Sequence, residues 1–198
     1  MEKITKQLGE FEFEDSESAV IGEGTFGSVY KGIHRTESYS VAVKKVPKES
    51  VKRVELEIIR SLESEFVIKL LDLIVDQEFQ YIVMELCDCT LEQHMESRRD
   101  QVGSAMMRPE NLDVVLECLA KGYYELFRKK IIHRDIKPSN ILVKYKDVRS
   151  KSSGVGFPEA VIGFLKLSDF GSSRITSEDD HIDNLAGIHM MFVETPFF

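Results

Sequence analysis

The stretch His133-Arg134-Asp135-Ile136-Lys137-Pro138-Ser139-Asn140 gathers an acid, a base-capable ring, two cations and a carboxamide into eight residues. Groups of these types can exchange a proton and hold charge at a reacting centre. An apolar run, Ile141-Leu142-Val143, leaves the stretch, and a second acid follows another apolar run, in Leu165-Lys166-Leu167-Ser168-Asp169-Phe170-Gly171. Upstream, Gly22-Glu23-Gly24-Thr25-Phe26-Gly27 and Val41-Ala42-Val43-Lys44 add a glycine cluster and a further cation.

Residues so far apart in sequence need elements to position them. Glu10 to Asp15 alternates acids with Phe11 and Phe13, as a half-buried strand does, and Ala19-Val20-Ile21 continues as a strand toward the glycines. Beyond them, Ser28-Val29-Tyr30-Lys31-Gly32-Ile33 is β-branched, aromatic and glycine-containing, which predicts a returning strand. A dinucleotide-binding glycine motif would open a helix there. Alone, this pattern also suits an ordinary glycine-rich hairpin. Val41 to Val46 is the next strand. Its alternation puts Ala42, Lys44 and Val46 on one face, with Lys45 on the other as a solvated neighbour.

A helix over about Val51 to Leu62 places Glu55, Ile58, Ile59 and Leu62 on one face. A carboxylate among apolar neighbours needs a cation, and Lys44 is the candidate partner, with Glu55 preferred to Glu57. Phe66 to Val75 and Phe79 to Met84 read as strands, and Thr90 as the cap of a short helix to Glu96. Arg98 to Met107 reads as a polar loop. Pro109 starts a helix with Leu112, Val115, Leu116, Leu119, Tyr123 and Leu126 as its stripe and Arg128-Lys129-Lys130 at its end. Tyr145 to Gly163, rich in Lys, Ser and Gly, reads as an inserted surface loop.

In motif type, order and rough spacing these residues resemble the serine/threonine protein kinases, whose signatures are a glycine loop, a strand lysine, H-R-D…N and D-F-G. The resemblance implies an α+β, two-lobe fold. Residues 1–86 would form an antiparallel N-lobe sheet with one helix, and 87–198 a partial, mainly helical C-lobe with an insert at about 145–163 and an activation segment at 169–198. It implies ATP and Mg2+ as cofactors. Gly22, Gly24 and Gly27 would cover the triphosphate, and Lys44, held by Glu55, would contact it. Ile21, Val29, Ala42 and Leu142 would enclose the adenine, with Met84 gating the pocket behind it and the backbone of Glu85 to Cys87 bonding the adenine edge. Asn140 and Asp169 would ligate Mg2+, while Asp135 would accept the proton of a protein substrate's Ser or Thr hydroxyl. Lys137 would balance charge at the transferred phosphate and favours the serine/threonine branch. His133 is expected to pack and hydrogen-bond, and Arg134 could dock a phosphate carried by the final segment.

There are departures from the family's pattern. The gap from Lys44 to Glu55 is short, Glu194 stands where a glycine is customary before Thr195-Pro196, and the sequence ends before the family's A-P-E. The short gap, the insert and Phe79-Gln-Tyr-Ile-Val-Met-Glu-Leu-Cys are similar to the kinase part of the inositol-requiring sensor kinase/endoribonucleases. Their nuclease domain has no counterpart in this sequence, so the likeness carries no claim of ribonuclease activity. An alternative to an active kinase is an inactive nucleotide-binding fragment that works through a partner protein covering the incomplete C-lobe.

Composition narrows the classes further. With 198 residues, 42% hydrophobic and 30% charged, the sequence suits a globular domain. A net charge of -8 disfavours nonspecific nucleic-acid binding. Cys87, Cys89 and Cys118 match neither a paired disulfide framework nor a four-ligand zinc site, so reduced thiols in the cytoplasm are expected. No apolar run approaches the ~18 residues of a membrane helix.

Overall fold

A computed structural model describes residues 5–24, 27–102, 109–146 and 161–176. The chain is α+β and divides into two compact units. The first comprises Met1–Glu63, Ile68–Leu86 and Asp169–Arg174, and the second Ser64–Val67, Cys87–Ser168 and Ile175–Phe198.

The first unit is built on antiparallel strands β1 (Thr5–Leu8), β2 (Phe11–Glu14), β3 (Val20–Gly24), β4 (Gly27–His34) and β5 (Ser40–Pro47). One helix, α1 (Arg53–Ser61), follows, and then β6 (Leu70–Val75) and β7 (Phe79–Glu85). The sheet order is β1-β2-β4-β5-β7-β6, with β3 paired to β4. Gly9, at φ +58, turns β1 into β2. Strand alternation then sorts the side chains. Val41 and Val43 are fully buried among Leu8, Phe11, Phe13, Tyr30, Tyr81 and Val83, while Ala42 and Lys44 take the opposite face. Each large apolar side chain so buried contributes about 1.5–3 kcal/mol.

Two expectations change in this unit. Lys45 is not a solvated neighbour: its ammonium bonds both Asp15 oxygens, at 2.8 and 2.7 Å, and lies 4.4 Å from the Phe79 ring centre. The strand expected from Phe66 begins only at Leu70, because Phe66 and Val67 serve the second unit instead. There the Phe66 carbonyl accepts Leu167 N–H at 2.9 Å, and Val67 bridges Leu167.

The second unit holds β8 (Cys89–Thr90), α2 (Leu91–Val102), α3 (Pro109–Arg128), β9 (Ile131–Ile132), β10 (Ile141–Tyr145) and β11 (Ile162–Leu167), and β12 (Arg174–Ile175) closes the described chain. Thr90 caps α2 reciprocally: its hydroxyl accepts Gln93 N–H at 3.1 Å, and Gln93 Oε1 accepts Thr90 N–H at 2.9 Å. The helix continues well past Glu96, into the stretch expected to be loop. The expected insert joins two paired strands, with Tyr145 opposite Ile162, and 147–160 lie outside the described residues.

The buried face of α3 also differs from the expected stripe. Asn111, Val115, Cys118, Gly122 and Leu126 turn inward, whereas Leu112, Leu116, Tyr124 and Phe127 are exposed. A Cβ on Gly122 would come within 3.1 Å of Leu167 Cδ1 and the Phe66 carbonyl, so the missing side chain lets the helix approach β11.

Candidate active site

In the first unit the glycine hairpin brings Gly22 opposite Val29 and Gly24 opposite Gly27, with Thr25 and Phe26 outside the described residues. Its glycines are not equivalent. A Cβ on Gly27 would lie 2.1 Å from the Lys45 carbonyl oxygen, while one on Gly22 would touch only Val29 Cβ, at 4.0 Å. Val29 pairs with Lys44, and Ala42 pairs with Met84 at the end of β7. Ile21, Val29, Ala42, Met84 and Glu85 therefore belong to this unit, and Cys87 and Leu142 to the second. Glu85 N–H donates to the Lys69 carbonyl at 3.1 Å.

Lys44 is the hub of the unit's charged groups. Its ammonium lies 3.0 Å from Glu55 Oε1 and 3.0 Å from Asp169 Oδ1. Burial opposes its charge, but the Glu55 and Asp169 carboxylates outweigh that and hold its pKa above the ordinary lysine value. Lys44 is thus a permanent cation, 6% exposed. Glu55 lies in the first turn of α1, where the helix dipole also favours a carboxylate. Asp169 has left-handed backbone, φ 60 and ψ 79, and leads into a short turn in which Phe170 and Gly171 are buried.

The second unit assembles the other cluster. Asn140 Nδ2 donates to the Asp135 carbonyl at 2.9 Å and to Asp135 Oδ2 at 2.8 Å, and Lys137 Nζ pairs with the same carboxylate at 3.0 Å. His133 is buried, and its ring bridges backbone groups: Nε2 donates to the Ser168 carbonyl at 3.0 Å, and Nδ1 accepts Asp135 N–H at 3.4 Å. These contacts brace Asp135, and the ring packs and hydrogen-bonds as expected. Ser168 ties the cluster's floor by bonding the Asn140 carbonyl through both N–H and Oγ, at 3.0 and 2.9 Å. Arg134, with left-handed φ 66, is exposed. Ser177, Glu194, Thr195 and Pro196 lie outside the described residues.

The oxygen donors suit a hard cation. Asp169 offers a carboxylate. Asn140 uses its amide nitrogen on Asp135, which leaves the amide oxygen as a neutral donor. Among the described residues no three His, Cys, Asp or Glu side chains cluster as a closed metal cage. Each of these donors, within its own unit, is of the oxygen type that Mg2+ takes alongside the water and phosphate oxygens of its coordination shell. Sequence reasoning missed Lys52, whose ammonium bonds the Gly171 carbonyl at 2.8 Å, and Ser168. The only sequence signal for Lys52 was a cation where a helix start favours an acceptor.

The family model of the protein kinase domain matches residues 16–198. Cyclin-dependent kinase 7 of Dictyostelium discoideum is 28% identical over 167 residues, which cover 79% of this chain and 41% of that protein. Serine/threonine-protein kinase 4 homolog B of the same organism is 32% identical over 181 residues, covering 90% of this chain and 14% of that protein. The chain thus spans less than half the length of either relative. Among the described residues no helix is long and apolar enough to cross a membrane.

Proposed function

The chain belongs to the protein kinase family, and on that premise we propose that it transfers the γ-phosphate of ATP to serine or threonine hydroxyls of protein substrates. The observation that carries this is Lys44, a buried permanent cation gripped by Glu55 and Asp169. Its charge is suited to the α and β phosphates. Backbone amides of the Gly22 to Gly27 hairpin cover the triphosphate, and Ile21, Val29, Ala42 and Leu142 supply apolar contacts for the adenine. Cys87 provides the backbone donor that Glu85 uses within the sheet.

Asp135 takes the proton of the attacking hydroxyl as its oxygen bonds to the γ-phosphorus, and the bond to the bridging oxygen breaks to release ADP. Lys137 balances charge on the moving phosphoryl group, and Asn140 and His133 keep the Asp135 carboxylate in place. Asp169 and Asn140 would hold Mg2+, which would supply neutralisation of phosphate charge when bound. Lys137 beside Asp135 supports Ser and Thr over Tyr as acceptors, and the three cysteines support a cytoplasmic setting.

Radiolabelled ATP, Mg2+ and a generic basic protein test this. Label should transfer with the wild-type chain and be lost in Asp135→Asn while ATP binding persists. A second reading, a scaffold that binds nucleotide without transfer and works through a partner protein, is favoured by one observation, the exposed Leu112, Leu116, Tyr124 and Phe127 along α3. ATP binding by the wild type with no transferred label would favour it.

A further inference from the structure

The start of α1 breaks a rule of helix ends. Its N-cap is Lys52, whose side chain offers no acceptor to the first-turn amides and makes no capping hydrogen bond. A cation there also opposes the positive end of the helix dipole. A residue so poorly suited to its local position invites a search for another role, and Lys52 Nζ donates to the Gly171 carbonyl at 2.8 Å. Gly171 is buried in the turn that follows Asp169, whose left-handed backbone a non-glycine residue keeps only where its surroundings impose it.

The contact closes a ring. Lys44 on β5 grips α1 through Glu55 and the turn through Asp169. Glu55 N–H bonds the Lys52 carbonyl at 3.0 Å, and Lys52 reaches the far side of the same turn. One cation from the sheet and one from the helix thus flank Asp169 to Gly171. We propose that Lys52 is a positioning residue that fixes this turn against α1 and so sets the direction of the Asp169 carboxylate. The inference rests on the reading above, in which Asp169 holds Mg2+.

Two measurements on the full chain test it, with Lys52→Met and Lys52→Gln as neutral variants and Lys52→Arg as the conservative one. In nucleotide-free protein, amide exchange over Phe170–Ser172 should quicken in both neutral variants and stay near wild type in Lys52→Arg. In ATP binding followed by calorimetry, the Mg2+ concentration giving half-maximal enhancement should rise about tenfold in the neutral variants, the size expected when a group supporting a metal ligand is lost. Binding without Mg2+ should be unchanged. Loss of a nearby cation by simple Coulomb reasoning would lower the Mg2+ requirement, so the sign separates positioning from bulk charge. Neutral variants with wild-type exchange and a wild-type Mg2+ midpoint would overturn the proposal. Wild-type protein whose ATP binding ignores Mg2+ would instead overturn the underlying kinase reading, and this inference with it.

Discussion

Glu55 meets Lys44 at 3.0 Å with both side chains more than nine-tenths buried. A pair placed this deeply is costly to break, because the remaining charge is stranded away from water. Glu55→Ala should lower stability by about 3 kcal/mol and reduce phosphoryl transfer at least tenfold. Glu57→Ala, on the exposed side of the same helix, should stay within about 0.5 kcal/mol. Urea midpoints of the two variants check this. Equal losses would mean that α1 is held by its apolar stripe alone.

Gly27 and Gly22 flank the same hairpin, yet only Gly27 is closed to a side chain. Gly27→Ala would force Cβ against the Lys45 carbonyl, which cannot rotate away because β4 and β5 pair at Ser28 with Lys45. A loss of about 2–4 kcal/mol is expected, in the range of steric overpacking and backbone strain, together with weaker ATP binding. Gly22→Ala meets only Val29 Cβ at contact distance and should leave the melting temperature almost unchanged. A Gly27→Ala protein as stable as Gly22→Ala would mean that the strands part there at little cost.

These contrasts show where the sequence was legible. Alternation along β5 gave the faces of Val43 and Lys44, because period 2 depends on backbone geometry alone. It could not show that Asp15, just past the end of β2, reaches Lys45. The stripe on α1 exposed Glu55 as an acid needing a partner. On α3 the same method found Val115 and Leu126 but counted Leu112 and Leu116, which are exposed, and passed over Asn111, Cys118 and Gly122, which carry little apolar signal; Gly122 is buried by close approach of Leu167 and Phe66. The end of α2 was missed because Arg98, Arg99, Asp100 and Gln101 show no apolar periodicity, although the Thr90 and Gln93 cap marks its start. In the second unit, the closeness of Lys137 and Asn140 to Asp135 was readable from their short spacing. Backbone acceptors were not, so the roles of Lys52 and Ser168 at carbonyl oxygens, and the use of Glu85 N–H by Lys69, emerged only from the fold.

Thr90→Ala removes the acceptor for Gln93 N–H at the start of α2. The expected cost is about 1 kcal/mol, and Thr90→Ser should recover most of it, because the hydroxyl is what caps. Chemical denaturation of the two variants decides the point. Equal destabilisation would show that the Thr90 methyl, rather than its hydroxyl, matters there.

Asp76, at the turn from β6 to β7, accepts four hydrogen bonds. Oδ1 takes the N–H groups of Glu78 and Phe79 at 2.9 and 2.8 Å, and Oδ2 takes Lys6 Nζ and the Tyr81 hydroxyl at 2.6 and 2.8 Å. Lys6 first, then Phe79 N–H and the Tyr81 hydroxyl, hold its carboxyl well below the usual carboxylate range. Tyr81 itself is pushed up to about 12 by burial, so it remains a neutral donor at every working pH. A depressed carboxyl pKa means stability that is fully present above the unfolded value, near 3.8, and lost as pH falls from there toward the folded value. Lys6 and Asp76 are each about a third exposed, so solvent limits the charge contribution to about 1 kcal/mol. Asp76→Asn keeps Oδ1, the oxygen that organises the turn, and removes the charge together with the Oδ2 acceptor of Lys6 and Tyr81. It should therefore be modestly less stable than wild type at pH 7, with the gap in urea midpoint closing as pH drops from 5 to 3. Lys6→Met should remove much of the same pH dependence. A gap that stays constant across that range would show that the hydrogen-bonded turn, and not the charge held by Lys6, is what Asp76 contributes.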